Sequence, residues 1–301
     1  MPTLSTSVAA GTDADLSAAD LAAKYGLYVA GARPGLAGYT RQVWAYRHFV
    51  THYAAASLVT AFSKARLGRL WQVLTPLCNA AVYYLMFGII LGTKKDIHNF
   101  IAYLCCGIFI FNSTRAIVSD GIVAITKNLG LIRALHFPRA CLPLAATVSE
   151  FKDLLASMIV LIGIALATRE PIEPRWLLLI PVIVLQGVFN AGLAMFMARL
   201  GNKILDLKQL IPFIMRTWMY GSGVMYSVTL FDSHLPHAAA KIVEANPLVV
   251  YIQLARQALL EDTPRLMSDT HLWELAFAWA IVTLVVGYIY FWLGEQEYGR
   301  G

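Results

Sequence analysis

The sequence predicts an all-α integral membrane protein. It has six transmembrane helices, an N-terminal amphipathic interfacial helix ahead of them, and short re-entrant or interfacial helices in the last outer loop. Three observations carry this. The 301 residues are 58% hydrophobic and only 14% charged, with a mean hydropathy of +0.61, where a soluble domain would be nearer a quarter charged. Six segments are almost unbroken in apolar content over about 20 residues, the length a helix needs to cross a bilayer. The basic residues gather on alternate loops, as the positive-inside rule requires. The net charge of +6 therefore follows the membrane and does not argue for nucleic acid.

Residues 1–40 are rich in Ala, Gly, Ser and Thr, with Asp13, Asp15 and Asp20. They read as a disordered cytoplasmic tail with, at most, a short helix at Ser17–Tyr25, and they lack the apolar core of a cleavable signal. Residues 41–66 read as the amphipathic helix. Val43, Val50, Ala54, Leu58 and Ala61 recur at helical spacing, while Arg41, His48, His52 and Lys64 occupy other faces. Trp44, Tyr46 and Tyr53 read as interfacial rings, and the helix should lie in the headgroup plane.

Residues 67–298 form the six-span domain. The spans are Leu70–Leu91, Phe100–Val123, Leu144–Ala167, Trp176–Leu200, Leu210–Leu230 and Trp273–Leu293. Their length and apolarity demand helices, because a lone strand leaves backbone groups unpaired in lipid. With the N-terminus in the cytoplasm, 14 lysines and arginines face inside and 7 face outside, so both termini are placed inside, against the dissent of Lys94 and Lys95. The last outer loop, 231–272, carries Asn246-Pro247 and then Leu248, Val249, Ile252, Ala255 and Leu259 on one helical face, with Gln253, Arg256 and Gln257 opposite. About 13 residues are too few to span and suit a re-entrant or interfacial helix. His234 and His237 flank Pro236 without a third ligand, so no metal site is assigned. The four cysteines, Cys78, Cys105, Cys106 and Cys141, lie in or beside spans and form neither a disulfide framework nor a CxxC pair.

Between the second and third spans lies a polar stretch, Thr126–Pro143. It carries Lys127, Arg133, His136 and Arg139 and no acid. Lys127–Leu135 can make about two helical turns, with Pro138 as a stop. Leu129, Ile132 and Leu135/His136 share one face. Two readings are open: a lipid-facing basic loop, or a handle that a soluble partner grips.

No catalytic constellation is visible: the sequence has no GxxxxGK[ST], HExxH, GxSxG or dinucleotide fingerprint. Glu150 and Asp153 share a helical face beside Lys152 and read as a structural ion-pair cluster. Transport or scaffolding is favoured over catalysis. Three cations fall inside spans: Arg115, Lys152 and Arg216. At about 1.5 Å per residue, Arg216 lies roughly 10 Å and Lys152 roughly 12 Å from the inner edge, and Arg115 at similar depth. Each costs roughly 2.5–3.5 kcal/mol at mid-bilayer. They either snorkel or pair with Asp120, Glu150 or Asp153, or they form a basic ring for an anionic headgroup such as a diphosphate. Tyr83, Tyr84, Phe109, Phe111, Trp218, Tyr220 and Tyr226 read either as packing and interfacial belts or as a wall that stacks on sugars. Gly88-x-x-x-Gly92 allows a close helix contact.

Taken in order, Arg69-Leu-Trp71 with Leu74-Thr-Pro76, Asn128, Leu131-Ile132, Phe137-Pro-Arg139, Leu142-Pro-Leu-Ala145, Asp206 with Leu210-Ile-Pro212, and Asn246-Pro247 resemble the landmarks of ABC-2 type permeases that export lipid-linked polysaccharides (Wzm type). The likeness covers roughly residues 40–298. The Ala-rich tail and the detail of the spans look closest to the mycobacterial branch that exports cell-wall galactan. The resemblance implies two copies forming one pore in the bacterial plasma membrane, and two separate nucleotide-binding ATPase subunits that hold the ATP and magnesium, leaving no cofactor in this chain. It implies a glycan on a polyprenyl diphosphate as the substrate. It assigns Asn128, Leu131, Ile132, Arg133, Phe137, Pro138 and Arg139 to ATPase coupling and the N-terminal helix to an inner gate. Arg115 and Arg216 become candidates for the diphosphate. Tyr83, Tyr84, Phe111, Trp218, Tyr220 and Tyr226 become candidates for the rest of the substrate path. Ala140 and Cys141 stand where the family pattern has an acid and an aliphatic. The rival from another class is a membrane glycan-processing enzyme using Glu261, Asp262 and Asp269.

Overall fold

The computed structural model describes residues 34–62, 70–90, 99–225, 243–261 and 269–298, with a few isolated positions between them. The described residues form helices and turns, without a strand. In chain order the helices are α1 (Leu36–Ala45), α2 (Arg47–Phe62), α3 (Leu70–Tyr83), α4 (Phe100–Val123), α5 (Leu129–Ala134), α6 (Cys141–Ala167), α7 (Leu179–Lys203), α8 (Leu207–Tyr220), α9 (Pro247–Leu259) and α10 (Asp269–Leu293). A π-helical stretch, Tyr84–Ile90, continues α3, and 3-10 turns at Thr126–Asn128 and Pro174–Leu178 lead into α5 and α7.

Helix α4 is the centre. Every residue from Ala102 to Phe111 is buried, and α3, α6, α7, α8 and α9 all pack on it. A stretch buried on every side carries no amphipathic pattern, which is why Phe100–Phe111 is apolar throughout, while the polar residues of α4, among them Arg115, Ser119 and Asp120, follow in its second half. The most extensive helix pair is α7 with α10. It closes on glycine: a Cβ on Gly192 would collide with the backbone of Thr283 and Leu284, and one on Gly287 with the carbonyl of Gly192. Gly201 meets the Ile122 carbonyl in the same way, bringing α7 onto α4. Helices in lipid gain little from apolar contact with one another, so close backbone approach matters more there. Polar groups add to the α4–α7 seam. Thr114 Oγ1 donates to Asn190 Oδ1 at 3.0 Å, and Gln186 Nε2 donates to the Ile110 carbonyl at 2.9 Å. The opposite side of α10 exposes Phe277, Ile281, Val282, Val285 and Val286, an apolar strip suited to lipid.

Three described helices can cross a membrane by length and composition: Phe100–Val123, Pro174–Lys203 and Thr270–Leu293. They coincide with the expected second, fourth and sixth spans. Helix α3 runs 14 residues before seven more of π winding. Helix α6 is 27 residues long and carries Glu150, Lys152 and Asp153 in its first half. The expected fifth span, Leu210–Leu230, is not one continuous helix. Helix α8 has 14 residues, about 21 Å, and gives way to turns at 221–225. Residues 226–230 lie outside the described residues.

The N-terminal expectation is also redrawn. The helix begins at Leu36, inside the stretch read as a tail, and Tyr46 divides it into α1 and α2. Val50 and Ala54 of α2 are buried against Cys141 and Ala145 of α6, so this face is covered by protein. Helix α9 departs from the interfacial reading as well. Gln253 and Arg256, expected on an outward polar face, are as buried as Leu248 and Val249, because α4, α7 and α10 surround the helix.

Candidate functional site

One end of the bundle gathers the basic segment, the N-terminal helices and the foot of α10. After α4 the chain makes the 3-10 turn and α5, then leaves the helix at Leu135 in extended conformation. The expected two turns over Lys127–Leu135 are thus present, ending three residues short of Pro138. The amides of Cys141 and Leu142 bond back to the carbonyls of Pro138 and Arg139 and start α6. Ile132 and Pro138 are buried, and Leu131 and Phe137 half-buried, while Lys127, Arg133 and His136 are exposed.

Hydrogen bonds fix the segment along its length. Asn128 Nδ2 donates to the Ala124 carbonyl at 2.8 Å, and its Oδ1 accepts from Tyr53 Oη at 2.6 Å. Tyr46 Oη donates to the His136 carbonyl at 3.2 Å. Phe137 packs against Phe49 with ring centres 5.0 Å apart. The Arg139 amide donates to Glu295 Oε1 at 3.0 Å, and its guanidinium lies 3.3 Å from the same oxygen. Tyr39 Oη donates to Glu295 Oε2 at 2.7 Å and accepts from the Ala140 amide at 3.1 Å. Glu295 is 3% exposed. Burial raises its carboxyl above the ordinary range, although the Arg139 amide, Tyr39 and the guanidinium pull it part of the way back. Burial and the neighbouring carboxylate raise the Tyr39 phenol.

Arg139, expected among the coupling residues, is half-buried here. Its guanidinium is turned inward onto Glu295, leaving Lys127 and Arg133 as the segment's exposed cations. Beside them opens a cleft of about 510 Å³, lined by Tyr39, Tyr46, Ile132, Leu135, His136, Phe137, Arg139 and Glu295 among others.

A second region lies along α4, farther into the bundle. Arg115 of α4 and Arg216 of α8 line one cleft of about 360 Å³ with Phe111, Ser119, Met215 and Met219, and none of its described lining residues is acidic. Three expected path residues, Arg115, Arg216 and Phe111, therefore converge. On the other side of Arg115 a cleft of about 420 Å³ is lined by Trp71, Asn79, Asn112, Asp120, Glu150 and Asp153. The acids thus line a cleft with Arg115 but without Arg216. Among the described residues the expected aromatics have different surroundings. Tyr84 packs against Phe100, and Tyr220 is exposed. Trp218 Nε1 donates to Asn246 Oδ1 at 2.9 Å, which makes this ring an anchor. The Tyr83 side chain and Tyr226 lie outside the described residues.

The break after α8 is built, and its makers escape a sequence reading. The Asn246 side chain caps α9 through the Leu248 amide and donates to the Gly221 carbonyl at 3.1 Å. Arg256, wholly buried, donates to the carbonyls of Gly223 (3.0 Å), Val224 (2.8 Å) and Tyr103 (3.2 Å). Its guanidinium carbon sits 3.4 Å from the Tyr103 ring centre. Three charge-assisted bonds at roughly 1.5–3 kcal/mol each and a desolvated cation–π contact of about 2 kcal/mol offset a desolvation cost of several kcal/mol. Carbonyls released by the end of α8 are thereby satisfied, as a membrane interior requires. Gly223 has φ +58, the left-handed region where glycine is favoured.

Comparison with known proteins adds an independent finding. The family model for the ABC-2 type transporter matches residues 51–260. An O-antigen export system permease protein, RfbA, of Klebsiella pneumoniae is 23% identical over 229 residues, covering 76% of this chain and 85% of the relative. A polysialic acid transport protein, KpsM, of Escherichia coli is 23% identical over 229 residues, covering 76% and 86% respectively.

Proposed function

The chain belongs to the ABC-2 type transporter family, and from that premise we propose that it is the transmembrane permease subunit of an exporter of lipid-linked polysaccharide. The substrate is polyprenyl-diphosphate-linked galactan, moved from cytoplasm to periplasm across the bacterial plasma membrane. The chain crosses six times, with both termini inside, and two copies form the pore. Two ATPase subunits dock on the segment around Asn128–Arg139 and hydrolyse ATP with magnesium. The O-antigen export permease and the polysialic acid transport protein to which the chain is similar support a polysaccharide as the substrate class, and the exposed Lys127 and Arg133 support the docking surface.

The observation that carries the reading is the convergence of Arg115 and Arg216 on one cleft without an acid in its described lining. Two cations at membrane depth are costly, and a diphosphate between them turns that cost into binding. The test is ATP hydrolysis by the purified complex with added polyprenyl-diphosphate-linked galactan. Arg216→Leu should leave assembly intact and lower the stimulation by roughly tenfold, the scale of one lost charge-assisted contact. An unchanged response would return Arg216 to a snorkelling role. Stimulation by a different lipid-linked glycan, but not by galactan, would keep the transporter and replace its cargo.

A further inference from the structure

Three tyrosines of the N-terminal helices stand seven residues apart: Tyr39, Tyr46 and Tyr53. Tyr39 lies in α1, Tyr53 in α2 and Tyr46 at the junction between them. Each hydroxyl meets the basic segment at a different point. Tyr53 reaches Asn128 at its start, Tyr46 the His136 carbonyl in its middle, and Tyr39 the Ala140 amide at its end. Tyr39 in turn donates its own hydrogen bond to Glu295, just beyond α10, and Glu295 also accepts from the Arg139 amide.

We propose that this tyrosine ladder, closed by Glu295, is a set of positioning residues that makes the N-terminal helices and the foot of α10 move with the basic segment. The proposal rests on the reading of residues 128–139 as the ATPase-coupling segment. Packing alone would be served by phenylalanine, as Phe49 against Phe137 shows. The hydroxyls add direction. Tyr39 is 1% exposed and uses its hydroxyl both as donor and as acceptor, so its oxygen cannot shift without breaking a bond to the segment or to Glu295. A segment pinned at start, middle and end moves as a unit. A push from below is then delivered along three lines: up α6, which the segment opens directly, into α1 and α2, and into the end of α10. The N-terminal helices become a driven part of the gate, coupled to the ATPase by three side chains.

The test uses the full complex in proteoliposomes with polyprenyl-diphosphate-linked galactan. ATP hydrolysis and exported glycan are measured together for the variant carrying Tyr39→Phe, Tyr46→Phe and Tyr53→Phe. The ATPase subunit should co-purify at wild-type stoichiometry and hydrolysis should persist. Glycan exported per ATP should fall by roughly tenfold, within the usual range of coupling between sites. A ladder that only stabilises the fold would lower both rates together and leave their ratio within roughly twofold of wild type, against the larger change expected of lost coupling, and that result overturns the proposal. If the triple variant does not assemble, the same ratio is read from Tyr46→Phe, the most exposed rung: a fall supports the ladder and a wild-type ratio overturns it. A wild-type chain that brings down no ATPase would contradict the coupling reading itself, an outcome separable from a working complex with an unaltered ratio.

Discussion

Glu295 shows how much one side chain organises here. Its two oxygens receive the Tyr39 hydroxyl, the Arg139 amide and the Arg139 guanidinium, joining three regions of the chain. Its folded-state carboxyl is raised above the ordinary 4.5, with burial as the leading cause. A carboxyl raised on folding contributes stability that is complete below its unfolded value and is lost as pH rises through its folded value. Thermal stability of the purified chain should therefore fall as pH climbs from about 4.5. Glu295→Gln, which cannot ionise, should flatten that slope, and an equally steep profile in the variant would place the titration elsewhere. Sequence reasoning found Arg115 and Arg216 because cations inside apolar spans are rare enough to be conspicuous. It did not find Glu295, which lies 156 positions from Arg139 in a polar tail where an acid is unremarkable. Arg256 escaped for a related reason. On a 13-residue helix in a loop, an arginine reads as solvent-facing, and only the packing of α4 and α9 reveals that it serves the carbonyls of Gly223 and Val224.

Among the elements, close backbone approach does much of the specifying. The α7–α10 crossing leaves no room for a side chain at Gly192 or Gly287. Gly192→Leu should lower stability by about 1–3 kcal/mol or more, the range for overpacking, read as a lower thermal midpoint in detergent. Gly163→Ala on α6, where a Cβ meets nothing within 4 Å, should hold the midpoint or raise it slightly, since alanine is the better helix former. Equal effects of the two would detach the glycine argument from the crossing. Three long helices were legible because span length and hydropathy carry that signal directly, and α4 and α7 match their expected bounds closely. The end of α8 was not legible. Gly221-Ser-Gly223 sits among apolar and aromatic residues, so hydropathy runs through it. The turn exists because Asn246 and Arg256, both far along the chain, take its carbonyls. The division of the N-terminal helix at Tyr46 was hidden too, since no Gly or Pro stands near Tyr46 to break a helix by propensity. The partners of Tyr39, Tyr46 and Tyr53 set its path.

For the whole molecule, the pattern is a bundle centred on α4, an apolar face on α10, and two chemically distinct regions stacked along its length. At one end a basic segment is held by tyrosines and Glu295, and farther in a pair of arginines faces a cleft whose described lining holds no acid. The exported-polysaccharide reading joins the two, with force entering at the first and an anionic lipid headgroup held at the second. Such a machine needs an energy source outside this chain, whose sequence has no phosphate-binding loop of its own. The direct measurement is a pull-down of the tagged full-length chain from its native membrane, with the identity and stoichiometry of the co-purifying proteins. The account predicts an ATPase carrying a phosphate-binding loop, in equal copies with the permease. A folded permease recovered without such a subunit would contradict the exporter reading and leave the arginine cleft without a motor to serve.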